Sequence, residues 1–515
     1  ITTQKKGSLF SNPEYTNPVQ APAVWERLNA AGVPSTVIRW PVTFPPKGGE
    51  HIKILSGMGV PDITGNIGAY QFFTDAPPAK NDPAPHKVTR LEFSGNTAKT
   101  RLKGPLQAGI TGPSPLTLDM VVERTGDGAT VTIQEKTISL KVDMFSEWLP
   151  LRFSSMLGGT QAGMAKFCLK SASPHVALYV TPVNLDPAAP VFPVSSPEDY
   201  GKSLAGALGP FATLGIPEDT KAVTDGRISD DAFLNMCDSL LTEQEALVEH
   251  ELATFKEGLF AGVIFTTDRI QHIFWSTQSA SNPTYTPERA KRYGNVFLEM
   301  YRRMDRRLAK VMEAVDDETL LIVLSDHGFT TFDASVNINS WLVERGYMRL
   351  KGNARNPEAS IRDGVDWANT AAYAVGLNGI FLNLAGREPE GKVAAAEAIA
   401  VAARLAKDLE SFKDPATGER VVDSAFLVRD IYGPELPPSA PDILCGYANR
   451  YRASWQTALG EAPVELVTPN DSKWSGDHCV NPALVPGVVL ANRPLLPEQP
   501  GLLDIAPTVL KALGT

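Results

Sequence analysis

The sequence contains little cysteine, and its cysteines are isolated from one another. Only four occur in 515 residues, and no two of them form a CxxC pair. Four thiols in so long a chain do not make a disulfide framework, and they leave the redox compartment undecided. A chain of this length can bury a large apolar core without covalent links.

Long apolar runs and an excess of basic residues are also missing. The longest apolar runs, such as 320–324 and 485–491, are far shorter than the roughly 18 to 20 residues of a membrane-spanning helix. The 48 basic residues are outnumbered by 58 acidic ones, which gives a net charge of −10. We therefore expect no transmembrane segment and no nucleic-acid polymer as a partner.

Two kinds of sequence pattern alternate along the chain. Residues 24–40 predict a helix followed by a β-branched strand, and the apolar runs at 259–267 and 319–325 are typical of buried parallel strands. Between about 78 and 178, short alternating segments are separated by glycine-rich turns, which is typical of antiparallel strands. The chain therefore combines an α/β pattern with a β-rich insertion.

The predicted fold class is α/β, as a three-layer α/β/α sandwich around a mainly parallel sheet with a β-rich inserted subdomain. We expect the core to start in 1–77, the insertion to occupy 78–180, and the rest of the core to lie in 181–515. Within this last part, Thr286, Pro287 and Glu288 predict the start of a helix. A threonine cap, a proline at the first helical position and an acid in the first turn all favour one.

Two of the predicted core strands end in an aspartate with a histidine nearby. Asp268 and His272 follow the first apolar run, and Asp326 and His327 follow the second. The loops at the carboxyl ends of strands in open α/β sheets converge to bind ligands. Carboxylate and imidazole groups suit Zn²⁺ or another divalent transition metal, and a helical turn would place Asp268 and His272 on one face.

A third candidate is His478, in the segment Gly476-Asp477-His478. Three of only seven histidines therefore fall at these positions. Each residue alone has an ordinary alternative, since aspartates often cap helices or form turns and lone histidines often lie on surfaces or in cores. The adjacent Cys479 is either a soft ligand or a small buried thiol. The combination favours a divalent-metal site.

Together these elements resemble the alkaline-phosphatase superfamily, in its branch of type I phosphodiesterases and nucleotide pyrophosphatases. The residues that carry the resemblance are Asp268-x-x-x-His272, Ser-Asp-His-Gly-Phe at 325–329, and Gly476-Asp477-His478. The resemblance covers most of the chain outside the β-rich insertion, and it extends to the segments 55–62, 181–184, 209–213 and 504–508.

The resemblance implies a metal-dependent hydrolase of phosphoric esters, either phosphodiesters or phosphomonoesters. Asp268, His272 and His478 match the ligands of one metal, and Asp326 and His327 match two ligands of a second metal about 4 Å away. Zn²⁺ is the expected ion, with Mn²⁺, Fe and Mg²⁺ as alternatives. Family members use a Thr or Ser nucleophile that forms a covalent phospho-enzyme, which water then hydrolyses.

The family's nucleophile and its first-strand aspartate have no counterpart in this sequence. The stretch 25–46 resembles what lies downstream of the nucleophile in relatives, so the catalytic nucleophile is unassigned. We expect an N-terminal segment that is missing from this chain to supply both residues. The alternative is a catalytically degenerate member of the family that acts as a binding or structural protein.

The substrate is the feature that the sequence determines least. Arg452 and Trp474 are candidate substrate-binding residues, because arginine pairs with phosphate and tryptophan stacks on flat groups. A surface arginine and a packed tryptophan are the ordinary alternative. We expect a small phosphate ester or a lipid head group as the ligand.

Two enzymatic rivals share the family's chemistry. A sulfatase-like ester hydrolase would need a C/S-x-P/S-x-R motif around its nucleophile, and none of the four cysteines has that context. A cofactor-independent phosphoglycerate mutase uses a similar two-metal site, but the local resemblance is to the phosphodiesterase branch.

An oligomer is compatible with the β-rich insertion. No signal peptide is visible, although the frequent export of relatives slightly favours an extracytoplasmic location.

Overall fold

The computed structural model describes residues 3–5, 14–107, 114–155, 159–352, 360–496 and 499–515, which form a mixed α/β structure. None of the helices in these residues is both long and apolar enough to cross a membrane. The helices are α1 (Val24–Ala30), α2 (Tyr200–Leu208), α3 (Thr220–Thr224), α4 (Asp230–Leu252), α5 (Thr266–Phe274), α6 (Pro287–Tyr293), α7 (Val296–Glu313), α8 (Ile338–Glu344), α9 (Ala398–Glu410), α10 (Val428–Tyr432), α11 (Trp455–Ala458) and α12 (Ile505–Ala512).

Most strands are short, and the longest lie in the β-rich part of the chain. The strands are β1 (Thr3–Lys5), β2 (Glu14–Thr16), β3 (Ser35–Ile38), β4 (Ile52–Leu55), β5 (Gln71–Thr74), β6 (Val88–Arg90), β7 (Phe93–Ser94), β8 (Thr97–Gln107), β9 (Ser114–Thr125), β10 (Gly128–Ile133), β11 (Lys136–Leu140), β12 (Leu149–Ser154), β13 (Thr160–Ala165), β14 (Phe167–Ser171), β15 (Ala177–Val180), β16 (Asn184–Leu185), β17 (Ser195–Ser196), β18 (Leu259–Gly262), β19 (Ile322–Leu324), β20 (Thr330–Val336), β21 (Ala372–Ala374), β22 (Gly379–Leu382), β23 (Val422–Leu427), β24 (Ile443–Tyr447), β25 (Arg450–Ala453), β26 (Val467–Pro469), β27 (Gly476–Asp477) and β28 (Val489–Ala491).

The described residues form two compact units. The first unit draws on the ranges Ile1–Ile270, Met300–Leu320 and Leu495–Thr515, and the second on Gln271–Glu299 and Leu321–Pro494. Each unit has its own apolar core.

The first unit contains a four-stranded sheet in the order β17-β4-β3-β18. Strand β3 runs parallel to both β4 and β18, whereas β17 is antiparallel to β4. Successive side chains of a strand point to opposite faces. Val37 accordingly shares an apolar cluster with Trp25 of α1, while its neighbour Ile38 belongs to a different cluster with Leu204 of α2 and Leu247 of α4. Helices thus cover both faces of this sheet.

The β-rich part of the first unit is built from three sheets around one core. Their strand orders are β11-β10-β9-β8-β7, β12-β13-β16 and β14-β15-β5-β6. Buried side chains alternate with more exposed ones along β10 and β12, which is the pattern expected of a sheet with one buried face. Leu102, Val122 and Phe153 are almost fully buried in the shared core.

Strand β20 organises the second unit. It runs parallel to β25 and antiparallel to β26 and β27. A second sheet has the order β21-β22-β24-β23, and Leu405 and Leu409 of α9 join its Ile443 in the core of the unit. Strand β19 pairs with β28.

The mainly parallel sheet expected from the sequence is not confirmed. Parallel pairing among the described strands occurs at β3–β4, β3–β18, β5–β6 and β20–β25, and the remaining strand pairs are antiparallel. The second apolar run forms β19, which pairs with β28 in the antiparallel sense. An apolar run indicates burial but carries no information on the direction of the partner strand. The helix start predicted at Thr286 is confirmed, since its hydroxyl accepts a hydrogen bond from the Arg289 amide at the start of α6.

The domain limits 1–77, 78–180 and 181–515 stay a prediction. Strands β6 to β15 lie between residues 88 and 180, within the first unit, and three of them, β6, β14 and β15, share a sheet with the earlier strand β5.

Two leucines on β8 offer a matched test of the β-rich core. Leu102 is fully buried, whereas Leu106 is 55% exposed. We expect Leu102→Ala to destabilise the fold by about 2–5 kcal/mol, because it removes apolar contacts and leaves a cavity. Leu106→Ala should change the stability by no more than about 0.5 kcal/mol. Denaturant unfolding followed by circular dichroism measures both, and equal losses would contradict the packing described.

Candidate metal centre

Helix α5 carries two of the candidate ligands. Its first residue, Thr266, is buried and donates a hydrogen bond from Oγ1 to Oε1 of Glu218 at 2.6 Å. Asp268 lies in the first turn and His272 four residues later, so both lie on one face of the helix. Asp268 also forms an ion pair with its neighbour Arg269. The helical turn on which the predicted pairing of ligands depends is therefore present.

His478 joins these two residues. A carboxylate oxygen of Asp268, a ring nitrogen of His272 and a ring nitrogen of His478 all lie within 4.8 Å of one another. His272 is only 1% exposed, while Asp268 and His478 are half-buried. Ligand atoms this close need only small side-chain movements to reach one divalent ion, whose bonds to nitrogen and oxygen are about 2 Å long.

A backbone contact fixes the orientation of the His272 ring. Its Nδ1 lies 2.7 Å from the carbonyl oxygen of Gly476. A carbonyl can only accept, so Nδ1 carries the proton and Nε2 carries the lone pair that a metal requires. The contact needs glycine at 476, because a Cβ there would lie 2.7 Å from the carbonyl oxygen of Gln271.

Aromatic rings surround His272. The indole of Trp474 stacks on the imidazole with a centroid distance of 3.6 Å and an interplanar angle of 26°. The ring of Phe329 meets His272 edge-on, with a centroid distance of 4.8 Å. The ring of His272 is thus held both by its Nδ1 hydrogen bond and by its neighbours.

The segment 325–329 contains the remaining two candidate ligands, Asp326 and His327, whose side chains lie in different environments. The His327 ring stacks on that of His478 with a centroid distance of 3.5 Å. The Asp326 side chain is 75% exposed, and its Oδ2 lies 3.4 Å from Nε2 of His327. Gly328 permits the tight turn that follows, because a Cβ there would lie 2.6 Å from the carbonyl oxygen of Pro486. His327 therefore lies beside the ligand group, whereas Asp326 points toward solvent.

Asp477 is a buried carboxylate that accepts several hydrogen bonds. Its Oδ1 lies 2.8 Å from the backbone nitrogens of both His478 and Cys479. Its Oδ2 lies 2.7 Å from the indole nitrogen of Trp474 and 2.7 Å from Nε of Arg452. Burial by itself would raise the pKa of Asp477, but the charge of Arg452 and these hydrogen bonds hold that pKa well below its usual range.

A second group of potential ligands consists of Asp477, His478 and Cys479, whose ligand atoms also lie within 4.8 Å of one another. The charge of Asp477 is already compensated by Arg452. The Cys479 sulfur lies 3.9 Å from Nδ1 of His478. The first group is therefore the better candidate for an ion.

Comparison with protein families decides the relationship of the chain. A family model described as type I phosphodiesterase / nucleotide pyrophosphatase matches residues 187–456, which is more than half of the chain. The chain belongs to this family. No curated protein and no solved structure matches it. Membership of the type I phosphodiesterase family confirms the superfamily branch that the sequence motifs indicate.

The type I phosphodiesterase match ends before the third motif. Asp268, His272, Asp326 and His327 lie within 187–456, whereas His478 lies beyond it. His478 is therefore connected to the others by geometry rather than by the family match. Members of this family are typically metal-dependent, and one carboxylate with two imidazoles is a donor set that fits Zn²⁺.

Sequence reasoning missed the role of Asp477. The residue stands inside a motif that carries the family resemblance, and its side chain accepts hydrogen bonds from the His478 backbone and from the Trp474 indole. The sequence feature that could have indicated this role is the position of Asp477 immediately before the candidate ligand His478. Arg452, expected to bind substrate, is 1% exposed and is paired with Asp477.

The ligand assignment predicts the result of a histidine exchange. His272→Ala removes one of three ligands, so we expect metal affinity to fall by more than the roughly 10–100-fold loss caused by mutating an outer-shell partner. His250→Ala, on α4 and outside the ligand groups, is the matched control and should bind metal as the wild type does. Competition with a chromophoric chelator measures both affinities. Unchanged affinity in His272→Ala would contradict the assignment.

Proposed function

We propose that the protein is a metal-dependent hydrolase of phosphoric esters with a two-metal centre. The family supports phosphoester hydrolysis in general. The observation that carries the proposal is the convergence of Asp268, His272 and His478, whose ligand atoms lie within 4.8 Å of one another in a chain of this family.

In this proposal Asp268, His272 and His478 hold the first ion, and Asp326 and His327 contribute to the second. The stacking of His327 on His478 supports the proposal that the two sets of metal ligands lie close together. Asp326 would have to turn from solvent toward the ion, and its position in a loop after β19 favours such a movement over one in a helix. Zn²⁺ is the ion that we propose first.

Bound divalent ions would neutralise the charge that develops on the phosphoryl group and lower the pKa of an attacking hydroxyl group. The chain's own residues prepare the site for this chemistry. The Gly476 carbonyl keeps the proton of His272 on Nδ1, so that Nε2 stays available as a ligand. Trp474 and Phe329 cover His272 and keep water from its ring faces. The nucleophile is proposed to be a Thr or Ser hydroxyl group, and no residue of this sequence is assigned to that role.

The substrate is proposed to be a phosphodiester or phosphomonoester, either a small molecule or a lipid head group. The family match is to phosphodiesterases, which favours phosphate esters over sulfate esters. An extracytoplasmic location and an oligomeric state are compatible with this function.

One experiment tests the proposal. Metal content is measured on the purified protein, which is then assayed with bis(p-nitrophenyl) phosphate, p-nitrophenyl phosphate and p-nitrophenyl sulfate. We expect close to two divalent ions per chain, and hydrolysis of a phosphate ester that is lost in His272→Ala but retained in His250→Ala. Preferential sulfate hydrolysis would replace the proposal by the sulfatase alternative.

The exposure of Asp326 favours one alternative function. A side chain that is 75% exposed leaves the second ligand set less assembled than the first. A catalytically degenerate member would keep one ion at most and act as a binding or structural protein. One bound ion or none, together with no hydrolysis of any of the three esters, would establish this alternative instead.

A further inference from the structure

Arg452, Asp477 and Trp474 form a connected set next to the ligands His272 and His478. We infer that these three residues are a positioning frame that holds both histidines for the metal, and that they do not bind the substrate. The inference rests on the metal centre of the proposed function.

The Asp477 carboxylate reaches both histidines through different atoms. Its Oδ1 accepts from the backbone nitrogen of His478 and from that of the next residue, each at 2.8 Å, which sets the direction in which the His478 side chain leaves the backbone. Its Oδ2 accepts from the Trp474 indole, whose ring then stacks on His272 at 3.6 Å. One carboxylate therefore fixes two ligands that are more than 200 positions apart in the sequence.

Arg452 holds this carboxylate in place. Its Nε lies 2.7 Å from Oδ2 of Asp477, and both side chains are 1% exposed. The guanidinium carbon of Arg452 lies 4.2 Å from the ring centroid of Trp455 and 5.4 Å from that of Phe332. Its Nη1 donates to the carbonyl oxygen of Ala453 at 3.0 Å. These contacts direct the guanidinium into the protein and away from a substrate phosphate.

Trp474→Phe is the decisive variant, because it keeps an aromatic ring for stacking but removes the indole N–H that binds Asp477. We expect the dissociation constant for Zn²⁺ to rise about 10–100-fold, as for loss of an outer-shell partner. The visible absorption of the Co²⁺-substituted protein should change as well, because the ligand geometry changes. At saturating metal, kcat for a phosphate ester should fall while KM stays within about twofold.

Trp367→Phe is the matched control, because Trp367 is a half-buried tryptophan of the same unit that packs against Tyr373. It should leave the Zn²⁺ affinity, the Co²⁺ spectrum and the activity unchanged. Wild-type Zn²⁺ affinity in Trp474→Phe, or a rise of KM with unchanged metal affinity, would overturn the positioning frame and support a substrate-binding role.

A second variant, Arg452→Lys, tests whether the positive charge of residue 452 is sufficient or whether the planar guanidinium group is needed as well. Lysine keeps the positive charge but lacks the planar fork of arginine. We expect Zn²⁺ affinity between that of the wild type and that of Arg452→Met, with the apo-proteins compared by circular dichroism. Equal affinity in all three proteins would overturn the inference.

The wild-type protein separates this inference from the proposed function. If it binds Zn²⁺ but hydrolyses no phosphate ester, the proposed function alone is overturned. If it binds no divalent metal, both are overturned.

Discussion

The buried ion pair between Arg452 and Asp477 is the interaction on which the candidate centre depends. Each side chain is 1% exposed, and removing two charges from water costs several kcal/mol per ion. Such a pair adds little net stability compared with apolar residues of the same volume. Its contribution is to orient neighbouring groups, because an ionised carboxylate can accept hydrogen bonds from the indole and from two backbone amides at the same time. The segment that bears His478 is shaped by this carboxylate.

Close approaches of the backbone are the second constraint on the centre. Gly476 allows β27 to come near enough to α5 for its carbonyl oxygen to accept a hydrogen bond from Nδ1 of His272. Gly328 lets the loop after β19 turn beside Pro486. At both positions a methyl group would overlap with backbone atoms, so the ligand geometry is built from main chain as much as from side chains.

The sequence was sufficient for features that depend on local spacing. The pairing of Asp268 with His272 follows from four-residue spacing in a helix, and the start of α6 follows from its cap. The sense of strand pairing, the exposure of Asp326 and the contact of Arg452 with Asp477 depend on tertiary contacts between distant segments. An apolar run or a charged residue has the same local appearance whichever partner it meets. The metal assignment itself stays a proposal.

The hydrogen bond between His272 and Gly476 joins residues that are 204 positions apart. The entropy of closing a loop must be overcome before such a contact forms, and contacts of large sequence separation are associated with slow folding. The ligand set is therefore complete only when the chain between α5 and β27 has folded. A divalent ion would therefore bind after most of the chain has folded. It would stabilise the native state, and it would slow unfolding more than it would accelerate folding.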